Sequence, residues 1–148
     1  MPRAEQPRRA TLGDLDFIVE LVAAFHETPR WPGVDFDADD FRFAAARIIE
    51  TGAVFLTQRG LIGLIVTPSI YNRKARVASE MFFWAPDGQG DALRRAAEAW
   101  AASPEVAAHA LIMNAHQPGE IDRIERWYVR KGYRPMGRQY VKVTRWAS

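Results

Sequence analysis

The stretch SEMFFWAPDGQGDALRRAAEAWA, Ser79 to Ala101, decides how the chain folds. It begins aromatic and β-prone, Pro86 ends that run, Gly88 and Gly90 flank Gln89, and an Ala/Leu/Arg pattern of helical spacing follows directly. A strand passing through a glycine-rich turn into a helix collects unpaired N–H groups and the positive end of the helix dipole at one point, where a phosphate can approach the backbone. The same letters also describe a capped turn with no ligand. Placed as an N-cap, the Asp91 carboxylate would accept those N–H groups itself and repel a phosphate.

Upstream of the turn, strand alternation puts Ala78, Glu80, Phe82 and Trp84 on one face and Val77, Ser79, Met81 and Phe83 on the other. Glu80 is therefore expected beside two aromatics, a setting that desolvates its carboxyl and suits a general base acting directly or through a water. The competing reading is a structural carboxylate paired with an arginine or facing a wet cleft. Farther along, Ile121, Ile124 and Tyr128 fall on one helical stripe. The Tyr128 hydroxyl is then either a proton donor or a satisfied core group.

Working outward, the chain shows no repeat, no low-complexity tract and no linker, and its 148 residues suit one domain over 1–148. "RRATLGD" reads as a short first strand, capped by Thr11 or Asp14. Phe17, Ile18, Leu21, Val22 and Phe25 give a helix ending near Glu27. A second helix spans Asp37–Thr51, with Phe41, Ala44, Ala45, Ile48 and Ile49 inward and Gly52 expected as a left-handed cap. "AVFLTQ", "LIGLIVTPSIY" and "ARVASEMFFWA" form an antiparallel meander, turning at Arg59-Gly60 and at Asn72–Lys74. After the Asp91–Ala102 helix come a strand "HALIMNA", a helix in "EIDRIERWYVRKG" and two last strands in "YRPMG" and "RQYVKVTRW".

Composition closes several routes. With no cysteine, disulfides, thiolate nucleophiles and Cys-ligated zinc are excluded. His26, His109 and His116 lack metal-ligand spacing, so no metal is expected, although His116 is an alternative base. No serine sits in a nucleophile elbow, which favours direct transfer over an acyl-enzyme. Without a bilayer-spanning run or signal peptide, the expected location is cytoplasmic, with no membrane partner. A net charge of +2 is too small to imply nucleic acid. Acids nevertheless gather between Gly13 and Glu50 (Asp35, Asp37, Asp39 and Asp40 among them), and bases between Glu120 and Ser148. These are either solvated faces or an acidic side for a cationic substrate and a basic side for an anionic cofactor.

The order β, α, α, β, β, β, α, β, α, β, β resembles the GNAT superfamily of acyl-CoA-dependent N-acetyltransferases over nearly the whole chain. "ERWYVRKGYRPMG", where Tyr128 leads to Gly132 and Tyr133, looks like that family's late helix and turn. The opening stretch is similar to its fourth strand, phosphate loop and third helix, especially in short phage-associated members. The loop here is several residues shorter than the family's usual one, losing its leading Gln or Arg, and Ile121 stands where the late helix usually has Asn.

The resemblance implies an α/β (α+β) fold with a mixed, largely antiparallel sheet and helices on both faces. It also implies acetyl transfer from acetyl-CoA to a primary amine of a small-molecule or peptide acceptor. Glu80 would be the base and Tyr128 the acid. The cosubstrate would lie on Phe82, Phe83 and Trp84, at Gly88, Gln89, Gly90, Asp91 and Ala92, and against Asn114. An edge in the last strands could pair with a second copy as a homodimer. The alternative is a non-catalytic binding or structural protein on the same fold, with CoA affinity weakened by the short loop.

Overall fold

Five strands hydrogen-bond in the order β1-β2-β3-β4-β5, with β1 Arg8–Arg9, β2 Ala53–Leu56, β3 Leu61–Pro68, β4 Arg76–Trp84 and β5 Ala110–Ile112. The first four run antiparallel, and β5 joins β4 in parallel. Helices α1 (Leu15–Phe25), α2 (Ala38–Thr51), α3 (Gly90–Ala102) and α4 (Ile121–Arg130) complete the fold. The computed structural model describes residues 5–25, 33–115, 120–137 and 139–145. They fall into two compact units, Met1–Phe25 with Asp37–Met113, and His26–Phe36 with Asn114–Ser148.

In the first unit the sheet is covered on both faces, which explains why β2 and β3 read as near-continuous apolar runs. Ile62 and Leu64 of β3 and Ala78 of β4 pack with Leu93, Ala97 and Trp100 of α3. On the other face Phe41 of α2 meets Phe82 edge-on, centroids 5.6 Å apart, and Phe25 of α1 stacks on Trp84 at 5.2 Å. Each fully buried Leu or Ile contributes about 1.5–3 kcal/mol.

The register slips once, and the slip sets the faces of β4. Gly63 lies opposite Phe82 but Leu64 lies opposite Glu80, so Met81 is an extra residue, a β-bulge. Directly paired residues share a face, and Gly63 and Leu64 are consecutive. Glu80 and Phe82 therefore point to opposite faces. Strict alternation, which placed Glu80 with Phe82 and Trp84, fails here. Glu80 joins Ala78 and Phe83 on the α3 face, whereas Phe82 and Trp84 face α1 and α2. Met81 itself is exposed.

The helix signals hold in outline, with corrections in detail. Asp37 caps α2, its carboxylate accepting the Asp40 N–H at 2.9 Å. Gly52 ends that helix with φ −127°, not in the left-handed conformation expected of it. Its small size serves a close approach instead, since a Cβ there would lie 2.0 Å from the Leu64 carbonyl oxygen. Along α2, Ala45 is buried, but Ala44, expected inward, is exposed. Ahead of α1, Asp14 accepts the Thr11 N–H at 2.8 Å and two Arg8 guanidinium bonds at 3.0 and 2.7 Å. Those bonds hold its carboxyl at about 2, Arg8 foremost. The tie of β1 to α1 is thus intact above the ordinary Asp range and is lost as pH falls through that value.

In the second unit, α4 is followed by residues that form no strand among those described between 131 and 145. The two final strands expected there are absent from that stretch. Pro135 lacks an N–H and Gly137 sits at φ +151°, both unfavourable to a continuous ladder.

Candidate active site

The β4–β5 ladder comprises only Val77↔Ala110, Ala78↔Leu111 and Ser79↔Ile112. β4 continues through Glu80 to Trp84 beyond it, and the bulge falls one residue past Glu80. The two strands thus part at Ser79, with Glu80 at the fork. Its side chain is only 3% exposed. Sequence periodicity found Glu80 but assigned it the wrong neighbours. Phe82, Phe83 and Trp84 lie along the segment past the fork, Phe82 buried and the other two half-buried.

That segment leads within a few residues into the glycine-rich turn. Pro86–Gly88 forms a single 3₁₀ turn, Gly88 takes φ +77°, and α3 begins at Gly90. A Cβ on Gly88 would meet nothing within 4 Å, so its conformation, not crowding, calls for glycine there. Gln89 occupies the N-cap position without a side-chain cap bond. Its N–H donates to the Pro86 carbonyl at 3.3 Å and its own carbonyl accepts the Leu93 N–H at 3.2 Å, which brackets the first-turn amides of Gly90, Asp91 and Ala92. The Gln89 Oε1 atom is buried and has no hydrogen-bond partner.

Asp91 is not the N-cap. It stands inside the first turn, and its carboxylate turns along the helix toward Arg94 Nε at 3.6 Å and Arg95 at 3.4 Å. Arg94 also holds Glu98 at 2.6 Å and is itself 8% exposed. This buried cation escaped the motif reading. Its signal was the i−3 and i+4 spacing of Asp91 and Glu98 about Arg94, which on a helix places all three together. A negative charge at the turn is thereby balanced by two arginines. An anion can approach the first-turn amides without meeting an uncompensated carboxylate.

Tyr128 and Asn114 belong to the second unit. Tyr128 is buried, and its hydroxyl donates to the Asn114 carbonyl at 3.5 Å, a long bond. Trp127 and Tyr133 lie at ring-centroid distances of 5.0 and 5.2 Å from it, and the Tyr133 N–H donates to the Tyr128 carbonyl at 3.1 Å. The Tyr128…Gly132-Tyr133 pattern seen in sequence is thus one packed corner. Ile121, placed on the inward stripe, is exposed instead. His116 and Trp31 lie outside the described residues. Among those described, no group of three or more His, Asp or Glu side chains is placed to hold a metal ion.

Neither a protein-family model nor a curated protein matches the sequence. Solved structures do. A proposed acetyltransferase from Arthrobacter sp. FB24 superposes with a TM-score of 0.74 at 20% identity, covering 97% of this chain and 99% of that one. The ribosomal-protein-alanine N-acetyltransferase of Brucella melitensis biovar Abortus 2308 gives 0.65 at 14% identity, over 93% and 99% of the two chains. An aminoglycoside acetyltransferase from an uncultured soil metagenomic sample, solved with trehalose, gives 0.60 at 15% identity over 99% and 98%. What they share with this chain is the fold. The protein has the GNAT-type acetyltransferase fold, with a mostly antiparallel five-stranded sheet, as its sequence resemblance implied.

Proposed function

We propose that the protein transfers an acetyl group from acetyl-CoA to a primary amine by direct attack. The observation that carries this reading is the fork at Ser79, followed directly by the uncapped, glycine-led start of α3. An extended ligand with amides at one end and phosphates at the other suits such a path. The β4 main chain past the fork would take the amides, and the α3 start would take the phosphates. The buried, unpartnered Gln89 oxygen and the arginine-balanced Asp91 are consistent with a polar ligand there.

Acetyl-CoA supplies the activated thioester. In the proposed sequence Glu80, directly or through a water, accepts a proton from the ammonium form of the acceptor. The freed amine attacks the carbonyl carbon, the carbon–sulfur bond breaks, and Tyr128 delivers a proton to sulfur. Asn114 holds the Tyr128 hydroxyl and so sets the direction of that proton. The acidic start of α2, with Asp37, Asp39 and Asp40, would raise the local concentration of a cationic acceptor.

Calorimetric titration with acetyl-CoA is the direct test, followed by thiol release from acetyl-CoA in the presence of a panel of amines. Heat of binding and amine-dependent release are expected. No binding at millimolar acetyl-CoA would leave a non-catalytic binding protein as the better account.

A further inference from the structure

Beyond Leu64, β3 has no β2 partner, because the β2–β3 ladder starts at Ala53↔Leu64. Four residues of β3, Ile65–Pro68, therefore carry the β3–β4 hairpin past β2, roughly 13 Å at the usual rise per residue. At its end Ile70 is 89% and Tyr71 92% exposed. These two large apolar side chains are adjacent in sequence and held on a fixed turn. Ser69 N–H donates to Ala75 O at 2.8 Å, Asn72 N–H to Ser69 O at 3.3 Å, and Ala75 N–H to Asn72 O at 2.9 Å. Tyr71 N–H donates to Ser69 Oγ at 3.2 Å and Lys74 N–H to Asn72 Oδ1 at 3.1 Å. The backbone that displays Ile70 and Tyr71 is thus ordered before any contact is made.

Charge around the tip has one sign. No Asp or Glu occurs between Thr51 and Ser79, whereas Arg73, Lys74 and Arg76 follow the apolar pair and are all exposed. Apolar groups at the extremity with cations just behind them match the layering of an anionic bilayer, with acyl chains below phosphates. Tyrosine favours that interface and Lys or Arg pairs with the headgroups. A stable protein partner needs about 800 Å² from each side, more than a two-residue tip presents, whereas a bilayer yields to a narrow wedge. No described helix is long and apolar enough to cross a membrane, so the contact is at the surface.

We propose that the β3–β4 hairpin tip, Ile70 and Tyr71 backed by Arg73, Lys74 and Arg76, is a docking point for anionic phospholipid surfaces. The proposal is independent of the chemistry at the fork.

The test is flotation of the full chain with vesicles of phosphatidylcholine and phosphatidylserine in equal parts, against vesicles of phosphatidylcholine alone. Binding to the mixed vesicles, weakened by high salt, is expected. The double change Arg73→Gln/Lys74→Gln should weaken it roughly 25-fold, from about 1 kcal/mol per cation. Ile70→Ser/Tyr71→Ser should weaken it at least about tenfold by removing the buried apolar area. Both variants should keep the wild-type melting temperature, since all four side chains are exposed. The natural chain has no cysteine, so Ile70→Cys takes a single environment-sensitive label, whose emission should shift to the blue on mixed vesicles. Failure of the wild type to float, equal flotation on phosphatidylcholine alone, or indifference to the tip changes would overturn the proposal. So would a wild-type dimer that the tip changes dissociate without any vesicle binding, which would assign the surface to a second copy.

Discussion

The two halves of β4 differ in what surrounds them. From Val77 to Ser79 the strand is paired on both sides, by β3 and by β5. From Glu80 to Trp84 it has left the β5 ladder and carries a bulge. The first half is structural, closed by hydrogen bonds and by α3 packing. The second offers a parted edge, a buried carboxylate and a direct path to a helix N-terminus. One inserted residue, Met81, separates them, and it re-aims every side chain that follows.

The largest expected effect lies at the boundary between the halves. Gly52→Ala would drive a Cβ to 2.0 Å from the Leu64 carbonyl, directly opposite Glu80, and a backbone atom cannot swing aside. A loss of about 3 kcal/mol, read by denaturant unfolding, is expected. A change below about 1 kcal/mol would mean that the contact is looser than the geometry shows.

Next is the chemistry assigned to the fork. Glu80→Gln should lower turnover by about 10²-fold, equivalent to about 2.7 kcal/mol of barrier, with acetyl-CoA affinity unchanged. Full turnover in that variant would return Glu80 to a structural role. In the second half, Gly63→Ala would place a Cβ 2.2 Å from the Phe82 ring. That ring is confined by Phe41, yet it is a side chain and can shift. A smaller loss, about 1–2 kcal/mol, is expected. A loss as large as that of Gly52→Ala would show the second half to be as rigid as the first.

Deleting Met81 is more selective. The pairings Gly63↔Phe82 and Leu64↔Glu80 become a regular ladder without it, and every other side chain keeps its face. Melting temperature should change little. Acetyl-CoA affinity should fall about tenfold, worth about 1.4 kcal/mol, because the strand loses the bend that parts it from β5. Unchanged affinity would sever the bulge from binding and with it the functional meaning of the comparison.

Why the sequence reveals one half better than the other follows from these residues. Asp37 and Gly52 mark the ends of α2 by local chemistry, and the alternation of β4 is regular up to Glu80. The bulge carries no local mark, since Met81 is an ordinary β-tolerant residue. What makes it possible is on another strand, where Gly63 leaves room for the Phe82 ring. Asp91 was misread for a similar reason. An Asp at the start of a helix suggests a cap, but Arg94 and Arg95 at i+3 and i+4 compete for its carboxylate and turn it inward along the helix. In the second unit the β-prone letters after Gly132 overstated the strands, because Pro135 and Gly137 interrupt the ladder those letters suggest. The Gly88–Gly90 turn and the Tyr128–Tyr133 corner, both set by neighbours in sequence, were legible.

The smallest expected effect concerns the feed into the paired half. Between α3 and β5, Ala107 sits at φ +48°, a left-handed conformation that costs a non-glycine residue about 1 kcal/mol or more. The loop holds it there. The Ala107 N–H donates to Ser103 O at 2.7 Å and the Ala108 N–H to Ala101 O at 2.8 Å, and the His109 N–H then reaches Arg76 O at 2.8 Å to start the β5 side of β4. Ala107→Gly removes the strain but gives the unfolded chain more freedom, a cost of about 0.4–1 kcal/mol. The net gain should be about 0.5 kcal/mol, or about 1–2 °C in melting temperature for a chain of this size. Acetyl-CoA affinity should be unchanged, because the loop serves the half of β4 that lies before the fork. A lower melting temperature would mean that the Ala107 methyl makes contacts worth more than its strain. A changed affinity would mean that the order of the β5 side reaches past Ser79, so that the two halves of β4 are coupled and not separate.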